Sequence, residues 1–105
     1  MAEFHHVGVP TEIRHEGEVF VPDTKVWVTS PDDHPLKIEY LRYEADSEVT
    51  GPLRDSMHVA FTVDDLDAAL EGQNVILGPF VPMEGLTVAF VQQESAVFEF
   101  MKYDA

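Results

Sequence analysis

Phe4-His5-His6-Val7-Gly8-Val9 and Met57-His58-Val59-Ala60-Phe61-Thr62-Val63 are two versions of one phrase. A second motif closes each version: Lys37-Ile38-Glu39-Tyr40-Leu41 and Val97-Phe98-Glu99-Phe100-Met101. The chain therefore reads as an internal duplication. Each half opens on a strand carrying a histidine and ends on a strand carrying a glutamate. From His to Glu is 33 residues in the first half (6 to 39) and 41 in the second (58 to 99).

The second half supplies the full pattern. His58 to Val63 is a strand by its β-branched and aromatic content. Asp64 to Gly72 predicts a short helix, with an Asp cap, acids in the first turn, Leu66 and Leu70 four apart and a glycine stop. Val75 to Leu77 starts the next strand, which leads through Phe80 to Pro82. Leu86 to Gln92 and Ala96 to Tyr103 form a hairpin around Gln93-Glu94-Ser95. In the first half, Phe4–Val9, Glu18–Val21, Lys25–Thr29 and Leu36–Tyr43 are the matching strands, with turn chemistry at Ser30 to Pro35. The length deficit falls at residues 11–17, too few for a stable helix. The expected fold is α+β: two βαβββ-type modules, residues 1–50 and 56–105 of a single domain 1–105, joined into a curled half-barrel with a cleft. The first module lacks most of its helix. That leaves one face thin and predicts a homodimer whose partner covers it.

Strand alternation sorts the side chains. His6 shares a face with Gly8, and His58 shares one with Ala60 and Thr62; small neighbours leave space for a cation and a ligand. Val7, Val9, Val59, Phe61 and Val63 take the opposite face, expected to be the core under Leu66 and Leu70. The same parity selects His6 over His5. Glu39 and Glu99 sit between bulky residues on their strands, where a lone carboxylate is costly without a partner. Two imidazoles and two carboxylates would neutralise a divalent cation, with His6, Glu39, His58 and Glu99 as metal ligands. Such a set suits Zn, Ni, Co, Mn or Fe. A three-ligand variant from His6, His58 and Glu99 stays open.

The 105 residues include 6 basic and 20 acidic ones, a net charge of −14. This balance repels phosphate backbones and anionic membranes, so neither nucleic acid nor membrane is an expected partner. No apolar run approaches the roughly 18–20 residues of a membrane span, and Met1 to His6 lacks the start of a signal peptide. The absence of cysteine excludes disulfides and thiolate chemistry and is consistent with a cytoplasmic protein. No phosphate loop, dinucleotide fingerprint or serine-hydrolase elbow occurs.

The segment His58–Leu70, the strand pair 88–101, His6–Val9 and Ile38–Leu41 together resemble vicinal oxygen chelate proteins, the glyoxalase/bleomycin-resistance/dioxygenase superfamily. The wording is nearest to its glyoxalase I-like and methylmalonyl-CoA epimerase-like members. The resemblance implies paired βαβββ modules around a cleft, frequent dimerisation, and a divalent metal that chelates neighbouring substrate oxygens and stabilises an enolate. Its ligand positions map onto His6, Glu39, His58 and Glu99. The implied function is an isomerase, epimerase or lyase acting on a small carbonyl-containing metabolite, with Glu99 first and Glu39 second as the carboxylate that moves a proton. Four ligands with two carboxylates favour this over the oxygen chemistry of the two-His, one-carboxylate iron triad. The rival expectation is a non-catalytic small-molecule-binding module like the drug-resistance members.

Other residues have plainer expectations. His5 reads as a solvent-facing strand histidine, with a supporting role beside His6 as the alternative. His15 and His34 belong to a loop and a turn. Arg14, Arg42 and Arg54 are expected in local ion pairs, and Trp27 and Tyr40 in packing rather than in a cleft lining. Met83-Glu84-Gly85 reads as a loop before the hairpin, with a lid role as the alternative.

Overall fold

The computed structural model describes residues 2–104. Its strands are β1 (Glu3–Pro10), β2 (Val19–Val21), β3 (Val26–Val28), β4 (Ile38–Tyr43), β5 (His58–Thr62), β6 (Asn74–Met83), β7 (Leu86–Gln93) and β8 (Ala96–Tyr103). They form one mixed sheet in the order β2-β3-β4-β1-β5-β8-β7-β6, a curled half-barrel. The two halves follow one plan. The first strand of each lies innermost, the fourth runs parallel beside it, and the third and second follow outward, antiparallel. The halves meet at the antiparallel β1–β5 pair, with Gly8 opposite His58 and His6 opposite Ala60.

Helix is scarce. Only α2 (Leu66–Leu70) matches the expected crossover helix, and it is shorter than the 64–72 pattern. Asp65 caps it, its side chain accepting from Ala68 N at 3.0 Å. Leu66 is buried, and the helix packs against β8. In the first half no helix stands between β1 and β2; residues 11–18 are turns. His15 stacks on Tyr40 there, with centroids 4.3 Å apart and planes 9° from parallel. Glu18 receives two bonds from Arg42, which lies 5.6 Å from the Trp27 ring centroid. A loop and a stacked cation thus lie where a helix would.

Sequence reading missed one element. Helix α1 (Pro52–Asp55) bridges the halves, with Pro52 in its first turn and buried Leu53 joining the core beside Val49. Gly51-Pro52 ahead of Leu53 was the available signal.

The placement of the core is corrected. The buried cluster of Ala60, Leu86, Val88, Phe90, Val97 and Met101 lies on the same face as His58, inside the curl. Val7, Val9, Val59 and Phe61, expected in the core, are only half-buried on the outer face. The reason is curvature: a strongly curled sheet encloses its concave side with its own strands, while five residues of α2 cover little of the convex side. No helix among the described residues is long and apolar enough to cross a membrane.

Candidate metal centre

The parallel pairs bring the four expected residues together. Glu39 lies opposite Gly8, and Glu99 lies opposite Ala60, so every side chain of the set projects into the concave side beside the β1–β5 seam. His6 and His58 are 2% and 1% exposed, and Glu99 is 7%. Nε2 of His58 donates to Oε1 of Glu99 at 3.1 Å. Nε2 of His6 lies 3.3 Å from the same oxygen and 3.5 Å from Oε1 of Glu39. One ligand atom from each of His6, Glu39 and His58 falls within 4.8 Å of the others.

The electrostatics are those of a largely buried charge cluster in which only Glu39 keeps partial exposure. Burial would lower the His6 imidazole, but Glu39 and Glu99 more than reverse this and raise it to about 9. Burial works to raise Glu99, and the imidazoles of His58 and His6 outweigh it, so its carboxyl is held low. His5 is lowered by partial burial and by the neighbouring His6.

His5 itself is a correction. A register break in β1 between Phe4 and His6 interrupts strand alternation. The His5 ring therefore turns toward the same side as His6, and their Nδ1 atoms are 2.8 Å apart. With His6 charged and His5 neutral, His6 Nδ1–H donates to His5. Tyr103 Oη lies 3.5 Å from His5 Nε2. Gly8 is a second correction. The space left by its missing side chain is filled by the imidazole of His58, since a Cβ there would sit 2.0 Å from Cε1. Glycine is required for the histidine to enter, not to make room for a ligand.

The donor set fits a divalent cation. Two atoms that each bind one ion at about 2.0–2.2 Å stand roughly 3–3.5 Å apart, the spacing seen between both His Nε2 atoms and the carboxylate oxygens. Nε2 of His6 and Nδ1 of His58 are buried without an aligned hydrogen-bond partner among the described residues. An ion held by Nε2 of His6 would remove the cost of leaving that atom buried without a partner.

The remaining candidates lie elsewhere. His34 Nδ1 accepts from Leu36 N within a turn. Arg54 donates to the carbonyls of Val49 and Glu44. Trp27 and Tyr40 face outward, whereas Met83 does line the cleft.

No known protein-family profile matches the sequence, and no curated protein matches it. Solved structures do match in shape. A hypothetical protein from Bacillus halodurans C-125 superimposes with a TM-score of 0.69 at 18% identity, covering 99% of this chain and 96% of that one. Methylmalonyl-CoA epimerase from Mycobacterium tuberculosis gives 0.61 at 15%, covering 97% and 88%. A variant of 4-hydroxymandelate synthase from Streptomyces coelicolor gives 0.52 at 12%, covering 99% of this chain and 49% of that one. The fold is the vicinal oxygen chelate fold. Within that fold, the four acid and imidazole groups of this chain occupy the floor of the cleft, one pair from each half.

Proposed function

We propose that the chain is a divalent-metal-binding protein of vicinal oxygen chelate type. It acts as one unit across residues 1–105, as an isomerase, epimerase or lyase on a small carbonyl-containing metabolite. The supporting observation is the convergence of His6, Glu39, His58 and Glu99 on one buried point. These residues would hold Zn, Ni, Co, Mn or Fe. When bound, the cation supplies Lewis acidity to substrate oxygens and favours proton loss from the neighbouring carbon through an enolate.

The protein groups divide the remaining work. Glu99 is clamped by two imidazoles and stays fixed. Glu39 makes one longer contact and its side chain is 19% exposed, facing the cleft. Our reading therefore makes Glu39 the carboxylate that takes and returns the substrate proton, ahead of Glu99. A second reading, a binding module without turnover, is favoured by the mostly aliphatic cleft walls. A homodimer placed in the cytoplasm is part of the proposal; light scattering at micromolar concentration should give twice the 11.8 kDa chain mass.

Elemental analysis of tag-free protein, paired with melting in added Ni, Zn, Co or Mn, tests the metal. The expected result is stoichiometric metal or a raised Tm, both abolished in His58→Ala. Neither effect in the parent protein would refute the proposal.

A further inference from the structure

The cleft above the four ligands continues into a void of about 90 Å³ walled by Val26, Leu41, Leu77, Phe80, Val88 and Phe90. This is smaller than the roughly 150 Å³ cavity known to hold benzene. Outward it opens into a cleft of about 520 Å³, rimmed by Val19, Val28, Asp32, Met83 and Tyr103. Neither space is lined by a lysine or arginine; the imidazoles that reach them are His5 and His6, and His6 is already held by Glu39 and Glu99.

All six basic residues can be accounted for. Lys25 pairs with Asp46, and Lys37 reaches Asp32 at 3.6 Å on the rim. Arg42 is bound to Glu18 on the outer face, and Arg54 to backbone carbonyls. Lys102 alternates away from the concave Met101, and Arg14 lies in the turn after β1. The polar groups that do face the cleft are acidic, neutral or imidazole. Two imidazoles and two carboxylates neutralise a divalent ion, so even the occupied site offers no surplus positive charge. An anionic tail would lose its hydration there without gaining a partner, within a chain of net charge −14.

We propose that the ligand of this site is an uncharged molecule with an oxygen-bearing head at His6, Glu39 and Glu99 and a compact apolar body of roughly four to six carbons. Carboxylate-tailed and phosphorylated compounds, including nucleotide-linked thioesters, are discriminated against. The proposal rests on the metal reading for its polar head alone; the apolar body and the charge selection follow from the walls.

The test uses the full chain and two probes of similar length, hexanohydroxamic acid and the monohydroxamate of adipic acid. They share a chelating head and differ in a terminal methyl against a terminal carboxylate. Binding is read from the methyl NMR signals of Val28, Val88 and Met101, with and without zinc. The neutral probe should shift these signals at roughly tenfold lower concentration than the acid in both series. Met83→Lys, at an exposed rim position, should narrow that gap. Equal affinity, tighter binding of the acid, or no response to the neutral probe overturns the proposal. Zinc alone tests the metal reading separately. Unmoved ring signals of His6 and His58 would refute that reading, while the zinc-free series still decides the ligand class.

Discussion

Replacing Gly8 by alanine would place a methyl carbon 2.0, 2.4 and 2.5 Å from Cε1, Nε2 and Nδ1 of His58. That ring is 1% exposed and fenced by Phe90 and His6, whose centroids lie 5.2 and 5.8 Å away. Ordinary contact begins near 3.4 Å, so the ring must retreat by about 1.4 Å. Its 3.1 Å bond to Glu99 would be lost. Overpacking costs about 1–3 kcal/mol. Loss of a hydrogen bond to a charged group costs about 1.5–3 kcal/mol. Stiffening the unfolded chain returns up to about 1 kcal/mol. The net is about 1.5–6 kcal/mol, a fall in Tm of roughly 7–27 °C at about 4.5 °C per kcal/mol for a chain of this size. Gly8 has no left-handed backbone angle, so the effect is steric. Circular dichroism melts in chelator measure the stability, and zinc calorimetry measures the site, where more than a tenfold loss is expected. A Gly8→Ala protein with the parent Tm and parent zinc affinity would refute the packing account.

Further expectations follow from the charge cluster. His6 is raised from 6.5 to about 9, so its stabilising effect is full below pH 6.5 and lost as pH rises through 9; Glu99, held low, contributes above about 4.5 and loses its effect on acidification. The metal-free Tm should therefore be highest between these limits and decline toward pH 9; a flat or rising curve in chelator would contradict the assignment. His5→Phe removes the partner of His6 Nδ1 and should weaken zinc roughly ten- to a hundredfold with little change in metal-free Tm, while His5→Asn restores part of the loss; calorimetry on both variants reads this. Glu39→Gln should abolish exchange of a substrate's acidic proton while zinc is retained at reduced affinity, whereas Glu99→Gln should lose zinc itself; the opposite pattern in a deuterium-exchange assay would return Glu99 to the proton-transfer role.

The duplication was legible because period-2 alternation recurs around both histidines and both glutamates. Reading the halves as equivalent placed all four side chains on one surface before any coordinates. The missing helix was legible from the short stretch between Pro10 and Glu18. The curl was expected; what alternation alone did not show was which face the curl encloses. A flat sheet would bury Val7 and Phe61 under the helix; the curled one buries Ala60, Val88 and Met101 instead. The side chain of His5 escaped for a related reason, because a single extra residue in β1 shifts parity and leaves no compositional mark. Helix α1 is four residues long, below what periodicity can register.

In the sheet, the two halves touch only along β1 and β5, and each half brings one imidazole and one carboxylate to that border. A cation held by all four would rivet the halves across their shared border. At a thousand times its dissociation constant it would add about 4 kcal/mol against their parting. Starving the protein of metal would then be felt first as breathing along that border, as faster amide exchange in β1 and β5 than in the outer strands β7 and β8.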